Sequence, residues 1–369
     1  MNKAVIDLPK CCNINRILVI KWSAMGDVML ATSVFEDIRQ AFPKADIHLN
    51  TLPLWVDLFK QDPRFDKIIS IDIRSKGSKL KNYWQWLREV RTNCYDLIID
   101  LQANDRSSLL LRILKYTGRF PKYCIGNVKR SPYTVYPPKD FTQTTEMTLS
   151  QSAIQAGGIP INSKRPVLHI PKDNLNAVNL LIAKHKLKAG EFALFMPGCH
   201  AAGHLKRWGT DHYSELAKLL LNTSLKNIVL VGAIDEMDDC KKISRSVGEG
   251  IVNLCGQTKI LDIVHWAENA RYIVANDNGT AHVASATETP MVVICGPTDP
   301  LRVKPAGENV LAVQANIECR NCYSKTCSHH SCMQGISAQT VFELLHKKLP
   351  QEHGSLLIFP VHMQKTLTL

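Results

Sequence analysis

The chain has no G-x-G-x-x-G turn, no G-x-x-x-x-G-K-[ST] loop, no G-x-S-x-G elbow and no H-E-x-x-H pair. Their absence excludes the usual signatures of dinucleotide-binding, P-loop, α/β-hydrolase and zinc-peptidase chemistry. An Asp-x-Asp pair, a common device for a metal bridging a nucleotide diphosphate, is missing too. No stretch approaches the eighteen or more apolar residues of a membrane span, and the N-terminus lacks the apolar core of a secretory signal, so a soluble cytosolic protein is expected. Fixed-period repeats and low-complexity runs are also lacking.

Acidic residues are the scarcer charge: 33 Asp and Glu stand against 45 Lys and Arg, leaving +12. That excess favours an anionic partner such as nucleic acid, an acidic lipid surface or a phosphorylated substrate. With no aromatic-plus-basic motif or helix-turn-helix pattern, nucleic acid is not expected as the partner. The 12 cysteines are mostly scattered singly and read as buried thiols in a reducing compartment. Cys319, Cys322, Cys327 and Cys332 are the exception, spaced C-x2-C-x4-C-x4-C with His329 and His330 among them. Four sulfurs so placed could hold a structural zinc, but the intervals differ from paired C-x2-C knuckles, and a thiol-rich hairpin is the competing reading.

With 369 residues, 45% of them hydrophobic, the chain is long enough for two domains. Short β-rich runs alternate with helical patterns nearly from end to end, which indicates an α/β fold of doubly wound parallel sheets. Strands are expected at 16–20, 46–50, 67–71, 96–100 and 123–126, then at 192–196, 227–231, 251–255, 272–276 and 291–295. The clearest helix follows the first strand, where Val28, Ala31, Val34, Phe35, Ile38 and Phe42 form one apolar stripe. The pattern weakens through 131–190, placing the boundary between domains 1–180 and 181–350; the tail 351–369 carries no readable pattern. Two such domains facing each other leave a cleft at the carboxyl ends of their sheets.

Asp27 lies at the start of that first helix, beyond the carboxyl end of the first strand, and is the candidate general base. The helix dipole alone would favour an acid there by ~0.3–1 kcal/mol. In the second half, "ANDNGTAH" again passes from strand to helix, so Asp277, Asn278, Gly279, Thr280 and His282 are candidates for a phosphate-binding helix start; the alternative is an ordinary Asx turn. Lys206, with Arg207 and Trp208, follows a Gly-containing loop and could neutralise a diphosphate leaving group without a metal. Glu236 or Asp235, after the second strand of that domain, could accept from ribose hydroxyls; simple helix-start charge competes. Lys76, Lys79 and Lys81 form a basic loop suited to an anionic acceptor, or simply a solvated surface.

Four stretches resemble the heptosyltransferases of glycosyltransferase family 9: "ILVIKWSAMGDVMLATSVFEDIRQAFPKADIHL", "PG…LKRW", "NDNGTAHVASA…VVICGPTDP" and the Cys-rich segment. They occur in the family's order across almost the whole chain. The resemblance implies a GT-B fold, two Rossmann-like doubly wound domains facing across a cleft, with an N-terminal acceptor domain and a C-terminal nucleotide-sugar domain. It implies ADP-heptose as donor, inversion at the anomeric carbon, no essential metal, and an acceptor of Kdo and phosphorylated lipid A at the cytoplasmic face of the inner membrane. By position it assigns Asp27 as base, Lys206 to the diphosphate, and Asp277, Gly279 and His282 to the donor loop. Two positions depart from the family's habit: Asn278 stands where Thr or Ser is frequent, and Gly209 where Pro is. A nucleotide-sugar-binding protein that has lost transfer is the alternative reading.

Overall fold

Twelve strands in two parallel sheets carry the fold among the residues that the computed structural model describes, which are 6–73, 79–138, 141, 148–199, 201–348 and 356–360. The chain divides into two units, Met1–His169 and Ile170–Leu369.

The first unit holds β1 (Arg16–Ile20), β2 (Asp46–Thr51), β3 (Lys67–Ser70), β4 (Leu97–Asp100) and β5 (Tyr123–Gly126), in the order β3-β2-β1-β4-β5. The central strands read as continuous Val/Ile/Leu runs because both faces of a parallel sheet are covered by helices. Between β1 and β2, the Met25–Ala41 helix buries Val28, Ala31, Val34, Phe35 and Ile38, the stripe expected from their spacing. The order of strand addition reverses between the parallel neighbours β1 and β4, which opens a crevice beyond their carboxyl ends.

The second unit holds β6 (Phe192–Met196), β7 (Asn227–Leu230), β8 (Ile251–Asn253), β9 (Tyr272–Asn276), β10 (Met291–Cys295), β11 (Val310–Asn316) and β12 (Leu356–Pro360), ordered β12-β11-β10-β9-β6-β7-β8. Its switch point lies between β6 and β9. The ten expected strands are present, some shortened at one end. β11 and β12 were not expected. β12 pairs with β11 and stands at the sheet edge, the place where a strand ending in Pro360 is tolerated. The tail is thus a strand within its described part, 356–360.

The division at His169/Ile170 also differs from the expected 180/181. The Lys172–Lys184 helix straddles the expected boundary but is held in the second unit, where Asn174 Nδ2 donates to Asp262 Oδ1 at 2.6 Å. Among the described residues no helix is long and apolar enough to cross a membrane.

Candidate active site

In the first unit the β1–Met25 turn is fixed from a neighbouring loop. Gln102 Oε1, beyond β4, accepts from the amides of Trp22 and Ser23 at 3.0 Å each. Asp100 in turn holds the Gln102 loop: its Oδ1 accepts from the Gln102 and Ala103 amides, and its Oδ2 from the Tyr133 hydroxyl at 2.6 Å. Asp27 is exposed, and its Oδ2 accepts from the Ala24 amide at 2.9 Å, capping the helix. One such bond leaves a carboxylate further lone pairs, so capping and proton acceptance are compatible. Lys21 is buried behind this turn with Nζ donating to Leu101 O at 3.2 Å. Burial pushes the Lys21 pKa down, while the carboxylates of Asp27 and Asp100 oppose that shift. Lys21, Ser23, Asp27, Gln102, Asn127 and Thr148 line a cavity of about 230 Å³. Among the described residues its lining holds one cation and one exposed carboxylate beside Leu30, Leu101 and Leu149, a mixture suited to hydroxyl-rich ligands.

In the second unit the loops after β6 and β9 meet at the switch point. Asn276, fully buried at the end of β9, joins them: its Nδ2 donates to Pro197 O at 2.6 Å, and its Oδ1 accepts from the Trp208 amide and the Tyr213 hydroxyl at 3.2 Å each. Lys206 Nζ lies 2.7 Å from Asp277 Oδ2, which also accepts from Thr298 Oγ1 at 2.8 Å. Asn278 caps the Gly279–Ala284 helix, accepting from the Ala281 amide at 2.9 Å and from Thr280 Oγ1 at 2.8 Å. Its amide nitrogen donates to Gly198 O at 2.8 Å, so one side chain both starts the helix and ties it to the β6 loop. A Thr or Ser could cap the helix but could not supply that second bond with a terminal NH2. The Gly279 and Thr280 amides, at the first turn, have no intrahelical acceptor. His282 is buried in the same helix and its carbonyl accepts from Ser285 Oγ.

Glu236 packs against the backbones of Gly198 and Gly232, at the ends of β6 and β7. A Cβ at Gly198 would stand 2.0 Å from its carboxyl carbon, so only glycine admits the carboxylate there. Its Oε2 accepts from the Ala233 amide at 2.8 Å, and burial raises its pKa. Arg207 is committed elsewhere, to Cys199 O at 2.6 Å and Asp239 at 2.8 Å. Trp208 is buried and stacked on His212, a packing residue.

Lys206, Asp277, Asn278, Gly279 and Thr280 are therefore gathered at one switch point, with Glu236 at the ends of the adjacent strands. Lys79 and Lys81 lie exposed in the first turn of the Lys79–Asn93 helix rather than in a loop, and Lys76 is outside the described residues. Cys319, Cys322 and Cys327 are exposed and Cys332 is buried, its thiol pushed up to about 11 by that burial. His330 ties this segment to the β6 loop through Leu205 O at 2.7 Å. Among the described residues no group of three or more His, Cys, Asp or Glu side chains could hold a metal ion. Lys21, Gly198, Asn276 and Thr298 lie inside stretches singled out in the sequence without a role assigned to them, and Gln102 lies outside every such stretch.

Two parallel α/β units, one with a carboxylate at a polar pocket and one with a cationic switch point, define a glycosyltransferase of the GT-B class. The sequence model of glycosyltransferase family 9 (heptosyltransferase) matches residues 83–333, and the chain belongs to that family. It is 26% identical to lipooligosaccharide heptosyltransferase 2 of Haemophilus ducreyi over 313 residues, 81% of this chain and 88% of that one. It is 24% identical to lipopolysaccharide heptosyltransferase 1 of Escherichia coli over 325 residues, 81% and 93% of the two chains. Among solved structures, a family 9 glycosyltransferase from Veillonella parvula superposes with a TM-score of 0.74 at 17% identity, covering 92% of this chain and 98% of the other. The ADP-heptose heptosyltransferase II of E. coli gives 0.69 at 21% identity, covering 91% and 99%.

Proposed function

We propose that this chain moves a heptose, or a related sugar, from an ADP-linked donor to a lipopolysaccharide inner-core acceptor, with inversion at the anomeric carbon and without an essential metal. The observation that carries the reading is the donor switch point, where the Lys206–Asp277 pair, the first amides of the Gly279–Ala284 helix and Glu236 come from three adjacent strand ends.

In the proposed reaction Asp27 takes the proton of an acceptor hydroxyl as its oxygen attacks the anomeric carbon. The bond from that carbon to the diphosphate oxygen breaks, and the electron pair leaves with ADP. Lys206 and the Gly279 and Thr280 amides stabilise the departing charge, a role that needs no divalent cation. Glu236 accepts from the ribose hydroxyls. Kdo attached to phosphorylated lipid A supplies the acceptor hydroxyl, and the +12 net charge favours such an anionic glycolipid at the cytoplasmic face of the inner membrane. Lys79 and Lys81 are the exposed cations assigned to the acceptor.

The test is a thermal-shift series with ADP-, UDP-, GDP- and CMP-sugars, followed by product analysis with Kdo-lipid A after chelation. Stabilisation by the ADP-sugar alone and a product of inverted configuration are expected. Preference for another base overturns the donor, loss of turnover on chelation overturns metal independence, and absence of product overturns the acceptor.

A further inference from the structure

Of the seven large apolar residues exposed among the described residues of the first unit, five lie on two helices: Leu80 and Trp84 on Lys79–Asn93, and Leu109, Ile113 and Tyr116 on Asp105–Tyr116. Trp84 is 71% exposed, Leu80 76% and Tyr116 87%. The spacing is helical in both cases, so each set shares one outward face: 80 and 84 are four apart, and 109, 113 and 116 are four and three apart. The inward face is a separate set. Two residues from Trp84, Trp86 is fully buried with its indole N–H donating to Asn50 Oδ1 at 2.7 Å.

The two helices lie side by side on one face of the sheet. In the order β3-β2-β1-β4-β5, the connections β3 to β4 and β4 to β5 run the same way across the sheet. Right-handed crossovers therefore put both helices on the same side, and they touch. Cations surround the apolar residues: Lys79, Lys81, Arg88 and Arg91 on the first helix, Arg106, Arg112 and Lys115 on the second. The two acids of these helices are already neutralised from outside, Glu89 by Lys67 at 2.6 Å and Asp105 by Arg130 at 2.8 Å. Among the described residues no ion pair engages any of those cations.

We infer that this two-helix face is where the chain docks on an anionic phospholipid bilayer. Trp84 and Tyr116 have the amphipathic rings that settle at the membrane–water boundary, Leu80, Leu109 and Ile113 enter the acyl edge, and the cations meet the phosphates. A second copy of the chain is a poorer occupant, because a two-fold interface here would set like charge against like charge around each apolar contact. The inference rests on the reading of the acceptor as lipid-borne, and supplies the surface that brings the enzyme to it.

The test uses the full chain with phosphatidylcholine vesicles, with and without phosphatidylglycerol, in a sedimentation assay. Binding only to the phosphatidylglycerol vesicles, weakened by salt, is expected. Trp84→Ala with Tyr116→Ala should weaken it by about tenfold or more. Arg88→Glu, Arg91→Glu and Arg112→Glu together should weaken it by more than about a hundredfold, since each cation at an anionic surface is worth about fivefold. Both variants should keep their circular dichroism and their transfer to a soluble, deacylated acceptor saccharide. Unaltered vesicle binding by either variant overturns the inference, as does a wild type that ignores phosphatidylglycerol, or a Trp84/Tyr116 variant whose solution mass halves. Vesicle binding as expected with no transfer to any acceptor would instead sink the proposed reaction and leave the surface standing.

Discussion

Lys206 Nζ and Asp277 Oδ2 are 2.7 Å apart, so the cation and the carboxylate assigned to one ligand bind each other first. The carboxylate is nearly buried and shared with Thr298, which holds the ammonium at the head of the Gly279–Ala284 helix. Its position is thereby set in advance, so that in the proposed reaction less side-chain entropy is lost on binding a diphosphate.

Removing the cation separates its two roles. Lys206→Met should cut turnover by roughly 10²–10³-fold, as expected for a leaving-group stabiliser. It should also destabilise the second unit by about 1–3 kcal/mol by stranding Asp277. Adding Asp277→Asn should restore much of the stability and none of the turnover. A double variant no more stable than Lys206→Met, measured by denaturant unfolding, contradicts the pairing.

Asp27 is a cap and a proposed base. Asp27→Ala should cost about 1 kcal/mol through the lost Ala24 bond, whereas Asn keeps an acceptor there and should cost little. Both should lose transfer while retaining affinity for the donor. Unchanged turnover in Asp27→Asn excludes the base assignment.

Acid should weaken donor binding earlier than an ordinary carboxylate would allow. Burial raises the Glu236 pKa, so as pH falls the folded state takes up this proton before the unfolded chain does. Through that window the protein gains stability from this group while losing the ionised form of the proposed ribose partner. KM for the donor should therefore rise toward mildly acidic pH. In Glu236→Gln both the KM limb and the stability gain should vanish. Persistence of the limb in that variant assigns it to another group.

Gly209 has φ +108° and ψ 148°, in backbone space open essentially to glycine alone. Gly209→Ala should cost about 1–3 kcal/mol and Gly209→Pro more, since the ring fixes φ near −65°. Because Gly209 follows Trp208 and Lys206, both changes should also weaken donor binding. A Pro variant as stable as wild type would show that the loop readily adopts the other geometry.

The sequence alone determined the alternation of strands and helices, ten of the twelve described strands, and the places where Asp27, Lys206 and Asp277 sit along it. Those features follow from spacings of two, three and four residues, which any chain of this pattern must express locally. β11 and β12 were not expected although "VLAV" (310–313) and "LLIF" (356–359) are apolar runs like the others; a run this short suits a buried helix segment equally, and pairing with β10 and between the two decides it. The tertiary structure alone decided which residues stand together: Asn276 with Pro197, Trp208 and Tyr213, Glu236 against Gly198, and two cationic helices on one face of a sheet. Such contacts join residues tens of positions apart. Strand order and crossover hand create them, and neither leaves a local period in the chain.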